Sequence, residues 1–283
     1  MYRDKKYCDT FNPLVKRSGP QFPVTFNFPF AQKALTTNIE TVRQLLKTER
    51  AKNPRYDAVW QHAVNMYNTK KVFLQTHTKT PIPDECHIAI IAYTFEKQLG
   101  DGKTLEIYVD FNKQCRELKN ESSWIKFPYK SFYCLLGQAV SSVQSVPDNN
   151  QPPYYRGVSF HYDPNFPDEE ILVDFAQFTS CSKSRQQALS FINSQGGKGT
   201  LLILPHPPMA GIGIKNYSQF AQEEEVLICP WSTFTIRFSD RKSDIHEIVL
   251  SSEGPYFEHL PYTIKKPEPM SVLTGFKQMF GFS

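Results

Sequence analysis

No apolar run in the 283-residue chain reaches the roughly 18 residues that a membrane helix requires. No C-x-x-C pair occurs among the six cysteines, Cys8, Cys86, Cys115, Cys134, Cys181 and Cys229. Their wide spacing argues against a zinc site and for free, reduced thiols. Net charge is small: 32 basic residues against 28 acidic ones leave +4, and basic pairs such as Lys265-Lys266 are short. That is too mild a balance to point to nucleic acid. The seven histidines show no H-E-x-x-H pattern or triad, and neither Cys181 nor Cys229 has an adjacent histidine. Metal hydrolysis and cysteine or serine nucleophilic catalysis therefore find no support.

Residues 1–6 are polar and no apolar signal core follows them. The expectation is a cytoplasmic protein, with secretion as the alternative if a leader has been removed. Two sequons, Asn120-Glu121-Ser122 and Asn216-Tyr217-Ser218, matter only in the secreted case, and the second would set a glycan beside an acidic turn.

Aromatics are plentiful, with 22 Phe and 14 Tyr, and 40% of residues are hydrophobic. That is enough for one sizeable core. Residues 1–35, rich in Pro, Phe and Lys, read as an extended arm. Helical periodicity begins at a capping-box spacing, Thr37 to Glu40, with Ile39, Val42, Leu45 and Leu46 on one face. Further helices follow from Tyr56, over Ile88, Ile91, Ala92 and Phe95, and over 105–118. The clearest has Phe132, Leu136, Ala139 and Val143 spaced four, three and four apart.

After a turn-rich loop at 147–153 the period changes. Segments 154–160, 171–182, 200–204, 211–215, 225–228, 233–238 and 245–250 read as strands, with a helical or loop insert near 185–193. Helices first and strands second predict an α+β fold, a helical half packed on a mostly antiparallel sheet or sandwich. The predicted organisation is an N-terminal extension over 1–54, a main domain over 55–253 and a linker with an aromatic tail over 254–283.

Three stretches bear chemistry. Arg156 lies in an apolar strand start, Tyr154-Tyr155-Arg156-Gly157-Val158, where a guanidinium needs a carboxylate or a bound anion such as a pyrophosphate. Gly157, without a side chain, lets a ligand approach the backbone. Phe178-Thr179-Ser180-Cys181-Ser182 puts two serines on one strand face; taken alone, it is also a plain edge strand. Glu223-Glu224-Glu225 runs into Val226-Leu227-Ile228. In a strand Glu223 and Glu225 share a face and can stabilise developing positive charge, although a solvated acidic strand end fits the same residues. The glycines at 196–199 read as a mobile turn, since the G-K-[ST] order is absent.

Taken in order, an Arg strand, a Ser-x-Ser strand and a Glu-x-Glu strand entrance resemble the R-S-E class of mono-ADP-ribosyltransferases, nearest the arginine-specific ecto-enzymes. Ile91-Ala92-Tyr93-Thr94, Asp110-Phe111-Asn112, Phe127-Pro128-Tyr129-Lys130-Ser131 and Gln177-Phe178-Thr179-Ser180 extend the likeness over roughly 55–250. The resemblance implies an ADP-ribosyltransferase fold and transfer of ADP-ribose from NAD to protein arginine; composition and spacing add the expectation of no metal, no nucleic-acid partner and no membrane span. The resemblance further implies that Arg156 grips the NAD phosphates and ribose, the Gly157 backbone holds the carboxamide, and Phe191 stacks on nicotinamide. Gln177 is a further cofactor contact. Ser180 orients Glu225, which binds the ribose and stabilises its positive charge. Glu223 deprotonates the acceptor guanidinium, and Phe220 contacts the target protein. The alternatives are an NAD glycohydrolase with water as acceptor and a non-catalytic NAD- or partner-binding module. The chain departs from the ecto-enzymes where they carry a cysteine just before the Arg strand; here stand Asp148-Asn149-Asn150-Gln151.

Overall fold

The computed structural model describes residues 28–77, 81–142, 153–161, 172–204, 211–240 and 244–255. The aromatic tail, the pair Lys265-Lys266 and the loop 147–152 lie outside them.

The helical layer comprises α1 (Phe28–Thr36), α2 (Ile39–Lys52), α3 (Pro54–His77) and α4 (Asp84–Thr94). A short hairpin follows, β1 (Lys97–Gln98) with β2 (Thr104–Leu105), and then α5 (Tyr108–Arg116), α6 (Glu121–Lys126) and α7 (Lys130–Ser142). The start of the chain corrects the reading of an extended arm to residue 35. Over 28–36 the backbone is helical, because Phe30, Ala31 and Ala34 form a buried stripe. Phe30 stacks on Trp124 at 5.5 Å, and Gln138 Nε2 donates to the Ala34 carbonyl at 2.9 Å. The cap of α2 is Asn38, whose Oδ1 accepts from Glu40 N at 2.7 Å. Thr37 instead closes α1 through a bond to the Lys33 carbonyl.

α7 runs through the middle of this layer, with every side chain from Ser131 to Leu136 buried. Gly137 is required where Trp231 crosses the helix, since a Cβ there would lie 2.7 Å from the indole. α4 is buried on all sides from Cys86 to Thr94, which hides any amphipathic period. An aromatic cluster fills the layer: Phe111 meets Phe132 at 4.8 Å, and Tyr133 meets Phe178 at 5.4 Å. Each fully buried ring contributes roughly 2–3 kcal/mol. Phe178 comes from the sheet half, so this core also fixes the strand that follows it.

The second half holds β3 (Tyr154–Val158), β4 (Leu172–Asp174), β5 (Thr179–Ser182), α8 (Arg185–Ser194), β6 (Gly199–Leu204), β7 (Gly211–Gly213), β8 (Glu225–Ile228), β9 (Ser232–Asp240) and β10 (Ile245–Pro255). Their order in the sheet is β4-β9-β10-β6-β3-β5-β8-β7. Only β6 and β10 pair parallel; the other neighbours are antiparallel. This is the α+β, mostly antiparallel architecture that the sequence predicts.

The stretch 171–182 is not one strand. It breaks at 175–178, where Ala176 takes a left-handed φ of 52° and Phe175 and Phe178 point into different cores. A second feature locates the site. β3 joins β6 through five consecutive register pairs, from Tyr154 to Val158, but joins β5 through one, Tyr155 with Ser182. β3 and β5 are thus the most sparsely laddered neighbours in this sheet, and their junction is its seam.

Candidate active site

β3 reaches the seam with its side chains sorted by face. Tyr154 and Val158 are buried in the sheet core, while Tyr155 packs with Ala188, Ile192 and Leu201 beneath α8. Gly157 also faces α8, so closely that a Cβ would sit 2.2 Å from the Ala188 carbonyl oxygen. Helix approach thus demands this glycine before any ligand does. Arg156, between them, is half-buried and donates from Nη1 to the Ser180 carbonyl at 2.6 Å. The guanidinium bridges the two strands that pair only once.

On β5, Thr179 and Cys181 are buried, and Ser180 and Ser182 take the other face. Register with β8 puts Ser182 directly opposite Glu225 and Ser180 opposite Leu227. Ser180 and Glu225 are therefore diagonal neighbours on one face. The Ser180 hydroxyl oxygen is out of contact with solvent and has no hydrogen-bond partner among the described residues. The Ser180 hydroxyl therefore makes no bond to the Glu225 carboxylate, and strand register sets the two side by side. Ser182 accepts from the Ser184 N–H at 3.0 Å and is a residue that the sequence pattern alone does not mark for the site. Its position in Ser-x-Ser carries the signal, but only register shows which serine faces the carboxylate.

Glu225 is 4% exposed and opens β8. Its carbonyl accepts from Ile214 N at 2.9 Å, closing the base of the loop 214–225. Cys181, on β5 between the strands of Arg156 and Glu225, feels both side chains. Burial pushes its thiol up to about 12, the Arg156 charge pulls it back, and the Glu225 charge adds to the rise. Arg156 on β3 and Glu225 on β8 thus flank the strand that carries this sulfur.

The three glutamates do not form a strand. Ala221–Glu223 is a single 3-10 turn, and Glu224 follows in a left-handed conformation, φ 45° and ψ 46°. This corrects the alternation expected for Glu223 and Glu225: a reversal, not a strand step, separates them. Glu224 is exposed and pairs with Lys215 at 3.3 Å. Phe220 begins the turn, partly buried, with its N–H on Ser218 Oγ at 3.0 Å.

Gln177 is buried, and its Oε1 accepts from Arg116 Nη1. Beside it the Tyr93 hydroxyl donates to the Phe178 carbonyl at 3.0 Å and accepts from Asn112 Nδ2 at 3.0 Å. The blocks around Tyr93 and Asn112 thus moor the approach to Ser180 on the helical layer. Phe191 lies on α8, partly exposed, one residue before the buried Ile192. No group of three or more His, Cys, Asp or Glu side chains suited to a metal exists among the described residues. No helix among them is long and apolar enough to cross a membrane.

Comparison with known proteins gives the family of this fold. A family model described as NAD:arginine ADP-ribosyltransferase matches residues 22–256. T-cell ecto-ADP-ribosyltransferase 2 of Mus musculus is 30% identical over 211 residues, 74% of this chain and 64% of the relative. NAD(P)(+)--arginine ADP-ribosyltransferase 2 of Gallus gallus is 26% identical over 226 residues, 77% of this chain and 64% of the relative. The chain thus spans under two thirds of the length of these relatives. The crystal structure of the eucaryotic mono-ADP-ribosyltransferase ART2.2 superposes with a TM-score of 0.57 at 26% identity, covering 75% of this chain and 84% of that one. A variant of it solved with NAD gives 0.56 at the same identity and coverage. With the family match running almost the length of both layers, the chain belongs to the NAD:arginine ADP-ribosyltransferase family.

Proposed function

We propose that the protein transfers ADP-ribose from NAD to arginine side chains of an acceptor protein, releasing nicotinamide. The observation that carries this is the placing of Arg156, Ser180 and Glu225 on three adjacent strands, β3, β5 and β8, with Arg156 bonded to the Ser180 carbonyl and Ser180 diagonal to Glu225. The residues present fit NAD. A buried hydroxyl without a partner, Ser180 Oγ, suits a ribose hydroxyl, and a guanidinium fork suits phosphate.

Bound NAD supplies an ADP-ribosyl group whose bond to nicotinamide breaks as positive charge grows on the ribose. Glu225 meets that charge. A carboxylate fixed on a strand and withdrawn from water stabilises a cation more than a mobile one, because it need not reorganise. Arg156 holds the phosphate side, and its bond to the Ser180 carbonyl sets the fork's direction. The Gly157 backbone and the ring of Phe191 take the nicotinamide side. Gln177, already held by Arg116, acts by keeping the approach to Ser180 in place. Glu223 accepts the proton of the acceptor guanidinium, whose pKa above ~12 otherwise blocks attack. Phe220, in the same turn, contacts the acceptor protein. The NAD bound in the ART2.2 variant and the arginine in the Gallus gallus relative's name support the same reading.

Incubation with labelled NAD and an arginine-rich acceptor tests it. Label is expected on arginine and lost with hydroxylamine, and Glu225→Gln should lower turnover by about 10²–10³ with the fold intact. Label confined to lysine or serine, or full turnover by Glu225→Gln, rejects it. The ratio of nicotinamide released to ADP-ribose attached separates transfer from hydrolysis.

The ecto setting in the Mus musculus relative's name supports the secreted alternative over the cytoplasmic expectation. Five described cysteines, Cys86, Cys115, Cys134, Cys181 and Cys229, are free and buried, which suits either compartment. Glycan mass at Asn120 or Asn216 in protein from its native source would decide for secretion.

A further inference from the structure

The loop 214–225 carries both Phe220 and Glu223, and it is anchored in two unlike ways. At its base Ile214 N donates to the Glu225 carbonyl at 2.9 Å, and β8 is paired on both sides by β5 and β7. Glu225 is therefore fixed by the sheet. Along its outer part the loop touches α3 through two long, exposed bonds, Lys70 Nζ to the Asn216 carbonyl at 3.4 Å and Gln219 Nε2 to Met66 Sδ at 3.5 Å. Two residues there are buried, Tyr217 and Ser218, each 4% exposed, and Tyr217 is the only one of the two that reaches α4 through a hydrogen bond among the described residues.

Tyr217 is held by a histidine to which the reaction assigns nothing. His87 on α4 is fully buried, and its Nδ1 lies 2.9 Å from the Tyr217 hydroxyl. The imidazole is stacked between two phenol rings, Tyr67 at 5.5 Å and Tyr217 at 5.8 Å, both within 17° of parallel. Tyr67 is fixed in turn by donation to Asp84 Oδ1 at 2.7 Å. His87 Nε2 is buried with no partner among the described residues. Burial holds the ring below its ordinary pKa, so it stays neutral. The one side-chain hydrogen bond that this buried imidazole makes among the described residues goes to the loop.

We propose that His87 is a positioning residue: through Tyr217 it holds the turn bearing Phe220 and Glu223, and so sets how ADP-ribose divides between an arginine acceptor and water. The inference rests on the transferase reading above. Glu225 and the turn have separate anchors, the sheet for one and His87 for the other. Loosening Tyr217 leaves the strand carboxylate in register and frees the acceptor side, where positioning governs rate.

Two variants and two readouts test this. Tyr217→Phe keeps the ring and deletes the hydroxyl; its ratio of arginine transfer to NAD hydrolysis should fall about fivefold, the scale of one hydrogen bond. The KM for NAD should stay within about twofold, and amide exchange over 215–223 should quicken about fivefold while β8 stays protected. His87→Asn, which can present an amide near the Nδ1 position, should recover part of the ratio that His87→Ala loses. Parallel losses of transfer and hydrolysis, or an unchanged ratio in Tyr217→Phe, overturn the proposal. Should the unmodified protein turn over no NAD, the transferase reading fails, and exchange over 215–223 still decides whether His87 anchors the turn. Unchanged exchange there overturns the anchor.

Discussion

Arg156 and Ser180 meet through the main chain, the guanidinium on the serine carbonyl at 2.6 Å, while the serine hydroxyl itself is buried and has no partner among the described residues. One residue thus gives its backbone to shape the site and keeps its side chain for a ligand. An unpaired buried hydroxyl costs about 1–3 kcal/mol in the ligand-free protein.

Ser180→Ala removes that cost. Stability to urea should be unchanged or raised by about 1 kcal/mol, while kcat/KM for NAD falls by on the order of tenfold. Equilibrium unfolding and initial rates on the same preparation check it. A loss of stability would show that the hydroxyl is already engaged.

Arg156→Lys keeps the charge and deletes the fork. An ammonium can satisfy the Ser180 carbonyl or a phosphate, but it does not match both in one plane. The KM for NAD should rise on the order of tenfold with the unfolding midpoint little changed. Equal KM values would show that charge alone suffices at this position.

Much of this arrangement can be read from the sequence where a single period governs. Phe132, Leu136 and Ala139 mark α7, and Val226-Leu227-Ile228 mark β8, because each buries one continuous set of neighbours. Where two environments alternate, the period misleads. α4 is covered on every side, and α6 is six residues long, too short to show a stripe. The segment 171–182 is apolar enough for one strand, yet Ala176 turns it to send Phe178 into the helical core. The candidate site residues stand out as a set because their order along the chain is distinctive. Their mutual geometry does not, since Glu224 reverses the chain and register brings Ser182, not Ser180, opposite Glu225.

Gly157→Ala tests the packing at the seam from its far side. The obstacle is a main-chain carbonyl of α8, which cannot rotate away as a side-chain tip can. The helix must move as a body and carry Phe191 with it. Overpacking of this kind costs about 1–3 kcal/mol, so the urea midpoint should fall and NAD turnover should fall with it. A stable, active variant would mean that α8 yields freely, and the glycine would then lose its structural reason.

Glu49 supplies a pH dependence that does not involve the reaction. Its carboxylate reaches from α2 to the start of α7, accepting from Lys130 N at 3.0 Å and from Ser131 N at 3.1 Å. These are orphan donors of a helix N-terminus, a favourable place for a negative charge. Burial nevertheless dominates and lifts the carboxyl to about 7, against the pull of the Ser131 and Lys130 bonds. Because the folded pKa is raised, the proton is held more tightly in the folded chain than in the unfolded one. Its contribution to stability is complete below about 4.5 and is lost as pH rises through about 7. The whole effect is at most about 3 kcal/mol. Glu49→Gln removes the titration, so the stability of the unmodified protein relative to this variant should decline between pH 5 and pH 8, by urea unfolding at each. A difference that grows with pH would instead mean that the helix dipole outweighs burial at this carboxylate.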